Sequence, residues 1–117
     1  MITKGIRGAI SVDKNTSASI ETATLELLEK LIKQNGINKG LISHVIFTLT
    51  KDLTADFPAK FARLKLGWDD VAMMCFNEAE VENSLSKCLR VMIVINCAEN
   101  FKPKYVYLKG AKDLRKN

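Results

Sequence analysis

The chain has 117 residues, 47% hydrophobic and 26% charged, enough for one globular domain over residues 1–117 and too few to suggest two. No apolar run approaches the roughly 20 residues that cross a bilayer, and "MITKGIRGAI" lacks the apolar core of a secretory signal, so a soluble cytoplasmic protein is expected. The formal charge of +5 permits an anionic partner, but the basic residues are scattered and not interleaved with aromatics, which argues against a nucleic-acid platform.

In chain order, residues 2–12 put Ile2, Ile6, Ile10 and Val12 on one side and Arg7, Ala9 and Ser11 on the other, the alternation of a half-buried strand. "NTSASIETATLELLEKLIKQNG" offers cap candidates, an apolar stripe through Ile20, Leu27, Leu28 and Leu31, and Gly36 as a stop, which predicts one long amphipathic helix. A second strand is expected around "SHVIFTLT". In "DLTADFPAKFARLKLGW", Pro58 suits a first helical turn, Gly67 closes a short helix, and Lys60 and Arg63 share a face.

"DVAMMCF" reads as a third strand, "NEAEVENS" as a polar turn and "SKCLRVMIVI" as a fourth strand. A fifth, "KYVYLKG", follows Pro103 over 104–110. The fourth strand is apolar on both sides, as a central strand should be. Five strands with one long and one short helix give an α/β, α+β sandwich with a mixed sheet. Two helices cannot cover both faces of such a sheet, so an oligomer is expected.

Most searches for chemistry fail. Cys75, Cys88 and Cys97 are widely spaced and odd in number, and His44 is the lone histidine, so a metal site lacks ligands and reduced thiols are expected. "KGIRGAIS" has two glycines but neither the lysine nor the spacing of a phosphate loop, and no G-x-S-x-G is present. What stands out is Arg90, in line with Cys88, Met92 and Val94 on one face of an apolar strand. A guanidinium cannot shed its proton there, so an anion must meet it. Arg7, between the glycines of "GIRG", is a second fixed cation that a ligand could approach closely.

The blocks "GIRGAISV", "DLTADFPAKFAR" followed by "GW", "MCFNEAEV", "LSKCLRVMIVIN" and "YVYLKGAKDLR" together resemble the small trimeric α/β chorismate mutases of the AroH class, in order and over nearly the whole chain. The resemblance implies a Claisen rearrangement of chorismate to prephenate with no cofactor, metal or covalent intermediate, so the absent base and nucleophile are expected. It also implies a homotrimer with a barrel-like core, its sites in the clefts between subunits.

By the same resemblance Arg90 faces the ether oxygen, Arg7 holds a carboxylate, Tyr107 packs near the side chain, and Glu78 accepts from the ring hydroxyl with Cys75 beside it. Phe57 and Ala59 wall the pocket, backbone groups of Met73 and Met74 line it, Lys60 and Arg63 add positive potential at its mouth, and Leu114 and Arg115 belong to a closing tail. The family pattern has threonine where Met74 stands, so a side-chain hydrogen bond is lost there and a backbone contact remains. Two alternatives are a small trimeric deaminase of enamines and imines, the RidA type, and a nucleic-acid binder suggested only by charge.

Overall fold

The computed structural model describes residues 1–114. β1 (Ile2–Ser11) opens the chain and runs into α1 (Ser17–Asn35). Thr16 caps α1, its Oγ1 accepting from Ser19 N at 3.1 Å, a contact worth about 1 kcal/mol. Gly36 ends the helix in the left-handed region at φ 59°, where a side chain would be strained. The predicted stripe is the buried one: Ile20, Leu27, Leu28 and Leu31 have no exposed surface, each adding roughly 1.5–3 kcal/mol by burial.

A 3₁₀ turn (Lys39–Leu41) leads into β2 (Ile42–Leu49), and α2 (Pro58–Leu66) starts at Pro58 and stops at Gly67, φ 70°. α2 has no side-chain cap of its own. The segment before it is instead tied to the start of α1, where Asn15 Oδ1 accepts from Thr54 N and Ala55 N and Asp56 accepts from Ser17 Oγ at 2.7 Å. β3 (Ala72–Asn77), β4 (Cys88–Cys97) and β5 (Val106–Leu108) complete the sheet, and a second 3₁₀ turn (Lys109–Ala111) follows.

The order is β3-β2-β4-β1-β5, with β4 antiparallel to both β1 and β2, β3 parallel to β2 and β5 parallel to β1. β4 is therefore the central strand, as its two apolar sides require. β5 is shorter than the predicted 104–110. At its start, Asn35 at the end of α1 takes both backbone groups of Lys104 (2.9 and 2.8 Å), so that residue is held by the helix rather than by a strand. At its end, Lys109 turns to φ 53° and Gly110 N donates to Ser11 Oγ.

Both helices lie on one face. Ile6, Ile10, Val45, Phe47, Leu89, Val91 and Ile93 point into the core between that face and the helices, with Phe61 and Trp68 from α2 and the turn after it. On the opposite face Ile46, Met92 and Val94 are only partly buried, and among the described residues no element covers them as the helices cover the core. Among the described residues no helix is long and apolar enough to cross a membrane.

Candidate active site

Arg90 projects from the open face of the central strand, opposite Thr48 on β2 and Ala9 on β1. Glu78 stands one residue beyond β3, where its N–H donates to Leu49 O at 2.8 Å and so holds it beside the end of β2. The side chains then meet across the turn: Arg90 Nε donates to Glu78 Oε2 at 2.7 Å, and Nη2 donates to Oε1 at 2.5 Å. Thr48 Oγ1 adds a third donor, to Oε2 at 2.6 Å. Parallel N–H donors facing two carboxylate oxygens are the strong geometry for this pair.

The anion that answers Arg90 in this structure is therefore Glu78, where the sequence suggested substrate. The Arg90 hydrogen bond holds the Glu78 carboxyl below its usual range, with help from Thr48 and against the opposing effect of burial. The same bond raises the Arg90 guanidinium further. Nη1 lies outside the fork.

Beside the pair is a cavity of about 300 Å³ lined by Arg7, Thr48, Arg90, Ile46, Met92, Tyr107 and Leu114. Two cations and the hydroxyl-bearing Thr48 and Tyr107 thus share a mostly apolar wall, a setting in which charge acts more strongly than in water. Arg7 stacks over Tyr105, Cζ 5.0 Å from the ring centroid. Of its flanking glycines, Gly8 lends backbone to the cavity lining, and the side-chain space of both is taken by packing. A Cβ on Gly8 would meet Leu31 Cδ1 at 2.7 Å, and one on Gly5 would meet Met92 Sδ at 2.8 Å.

The other predicted residues form a separate group. Phe57, 66% exposed, and Cys75 line a second cavity of about 410 Å³ at the junction of β3 with the segment before α2. Cys75 and Met73 pack against the core side of the sheet, whereas Met74 is exposed. Cys75 lies against Ala59, whose backbone hydrogen bond is outweighed by burial, so the thiol is pushed up. Lys60 pairs with Asp56 at 3.0 Å, and Arg63 is exposed further along α2. Leu114 lines the Arg90 cavity; Arg115 lies outside the described residues.

Thr48 is the site residue that sequence reasoning passed over. Its one signal was polarity on a strand face that also carries His44 and Ile46, and only the pairing of β2 with β4 puts it opposite Arg90. His44 is an exposed strand residue beside Ser43 Oγ at 3.1 Å. Among the described residues no three His, Cys, Asp or Glu side chains gather as a metal site.

Comparison with known proteins gives one answer. Residues 3–117 match the family described as chorismate mutase type I. The chorismate mutase AroH of Thermus thermophilus is 40% identical over 114 residues, 96% of this chain and 93% of that protein. Its counterpart in Bacillus subtilis (strain 168) is 36% identical over 116 residues, 98% of this chain and 91% of that one. The solved structure of a chorismate mutase from Clostridium thermocellum superimposes with a TM-score of 0.88 at 45% identity, covering 93% of this chain and 97% of its own. The chain belongs to the type I chorismate mutase family.

Proposed function

We infer that this chain is a chorismate mutase, an isomerase that converts chorismate to prephenate in the biosynthesis of aromatic amino acids. The observation that carries the reading is the Arg90 guanidinium, fixed by Glu78 and Thr48 in an apolar-walled cavity that also holds Arg7. In the rearrangement one carbon–oxygen bond breaks as one carbon–carbon bond forms, and no proton moves. The protein needs to supply only conformation and field.

Arg7 clamps a carboxylate of the dianion so that the enolpyruvyl arm folds over the ring, with Tyr107 against the arm. Holding that conformer removes entropy from the barrier. Arg90 turns N–H groups, Nη1 among them, toward the ether oxygen as negative charge grows there, and Glu78 accepts from the ring hydroxyl while steadying Arg90. A preorganised donor of this kind is worth roughly 3–4 kcal/mol at the transition state. The cysteines do no covalent work: Cys75 is held up by burial, and Cys88 is pushed up to about 11 by the same cause.

The second group of residues comprises Phe57 and Cys75, which line a cavity other than that of Arg90, with Ala59, Lys60, Arg63, Met73 and Met74 on the same α2 and β3 segments. We assign it to the neighbouring protomer's pocket in a homotrimer, closed across the open sheet face, with Lys60 and Arg63 drawing the dianion in and Leu114 shutting behind it. Residues 1–117 act as one catalytic domain. The three thiols are free, which suits a reducing cytoplasm.

The test is loss of the ultraviolet band of chorismate. Wild type turns over, Arg90→Ala loses about 10²–10³-fold in kcat with its oligomer intact, and Arg90→Lys stays far below wild type because a point charge cannot reproduce the fork. Equal turnover by wild type and Arg90→Ala refutes the mechanism. Ammonia release from imines without chorismate turnover would favour the RidA-type deaminase, which the family match does not support.

A further inference from the structure

Thr48 occupies the crossing point of the site. In the β2–β4 register it faces Arg90, and in the β2–β3 register it faces Phe76, two residues before Glu78. It is thus bonded to both ends of the excursion that separates Glu78 from Arg90 in sequence. Its side chain is β-branched and stiff about χ1, so a paired strand aims its hydroxyl in one direction. That direction is Glu78 Oε2, at 2.6 Å, the same oxygen that takes Arg90 Nε at 2.7 Å.

We propose that Thr48 is a positioning residue for the mutase reaction: its hydroxyl pins the Glu78 carboxylate in the plane that forks Arg90, and thereby sets where the guanidinium presents its remaining N–H groups. The proposal rests on the chorismate mutase reading above. Glu78 follows the last paired residue of its strand, so its backbone is anchored by the single bond to Leu49 O while its side chain keeps three torsions. Without the hydroxyl, the carboxylate keeps Arg90 and the weaker backbone N–H of its neighbour Ala79, and it rocks about the Arg90 axis. Arg90 then rocks with it, since a fork transmits rotation in both directions. A displacement of this size at a charge-stabilising donor costs rate rather than substrate affinity.

The groups around Glu78 allow its titration to be read. Arg90 and the Cys88 thiol face it from β4 and Thr48 from β2. Lys51, Asp52, Glu80 and Glu82 share the shallow cavity on its other side, and Arg7 and Tyr107 line the cavity that Arg90 enters. Lys51 is engaged with Glu80 at 3.7 Å, and Asp52 with Lys87 N. The side-chain donors that touch the Glu78 carboxylate are Arg90 and Thr48, and each favours its charged form. Removing the hydroxyl therefore raises the carboxyl's titration point, and the acid limb of the rate profile moves to higher pH.

The experiment compares the full-length wild type, Thr48→Val and Thr48→Ser in chorismate kinetics across pH, with the Glu78 carboxyl carbon followed by NMR. Valine keeps shape and branching, serine keeps the hydroxyl. Expected for Thr48→Val is a fall in kcat of about 10- to 100-fold, the range for losing a hydrogen bond to a charged group, with KM changed far less and the acid limb shifted upward. Thr48→Ser regains most of kcat and the wild-type limb. A packing role alone would lower thermal stability and leave both the limb and the Glu78 resonance unmoved, which overturns the proposal, as does a Thr48→Val enzyme with wild-type kcat. If Thr48→Val folds poorly, the Glu78 titration in Thr48→Ala decides: a raised titration point supports the proposal, and one unmoved from wild type overturns it. An inactive wild type rejects the mutase reading itself, a different outcome from an active wild type indifferent to Thr48.

Discussion

Replacing Gly8 by alanine tests the helix–sheet joint beneath the site. Gly8 lies on the helix-facing side of β1, and an added Cβ comes to 2.7 Å from Leu31 Cδ1, 3.1 Å from Leu27 Cδ1 and 3.3 Å from the Val106 carbonyl oxygen. Carbon atoms rest about 3.5–4.0 Å apart, so the worst contact is short by roughly 1 Å. Neither leucine has exposed surface into which to swing, and the third neighbour is backbone of β5. The relief is to lift α1 or bend leucines off their rotamers, and overpacking of this kind costs about 1–3 kcal/mol. For a chain of this size that is a fall in Tm of roughly 4–12 °C.

The assay is thermal unfolding at fixed protein concentration, paired with chorismate kinetics well below the transition. The double variant with Leu31→Ala removes the struck methyl groups, and its deficit should be smaller than the sum of the two single changes. Unchanged Tm with a strongly raised KM would refute the packing argument and leave ligand approach as the reason for this glycine.

Asp52→Asn tests the pin at the start of β4. The carboxylate takes Thr50 Oγ1 at 2.5 Å and Lys87 N at 2.9 Å, holding Lys87 at φ 44°. The Thr50 bond leads in depressing this carboxyl below 3.8, so its stabilising effect is complete above that pH and is lost as pH falls through the lower folded value. Urea midpoints should show Asp52→Asn less stable by about 1 kcal/mol at neutral pH, after allowance for solvent screening, and the two proteins converging in acid; parallel curves would contradict this. Cys75 should alkylate slowly at neutral pH because burial raises its thiol, and Cys75→Ala should lose far less kcat than Arg90→Ala; a dead Cys75→Ala enzyme would mean covalent chemistry.

Much of this fold was legible because its signals are local. The alternation of Ile6, Ile10 and Val12, the Leu27, Leu28 and Leu31 stripe, and the glycines at 36 and 67 each report on a few neighbouring residues, and each marks an element that forms. The length of β5 was not legible, because Asn35 and Ser11, distant in sequence, decide where it starts and stops. Strand order belongs to the same class of information. Two apolar sides put β4 in the middle, yet nothing local says that β1 and β2 are its neighbours.

The site divides in the same way. Arg90 drew notice through its apolar surroundings, and Glu78 through resemblance, but their fork spans a turn whose shape no periodicity encodes. Thr48 looked like any strand threonine, since its importance arises from what β4 and the end of β3 bring to it. The glycines beside Arg7 were legible only in part. A missing side chain signals close approach without saying from which side, and here Leu31 and Met92 take the side-chain space while the Gly8 backbone lines the cavity.

The ion pair on the open face has a consequence for selectivity. With Glu78 already serving as its counter-ion, Arg90 is largely neutralised as a pair, and sulfate, phosphate or acetate meets only the N–H groups outside the fork unless it displaces a chelating carboxylate. A guest that supplies its own hydroxyl for Glu78 keeps that arrangement whole, so discrimination passes from net charge to the spacing of functional groups on the visitor.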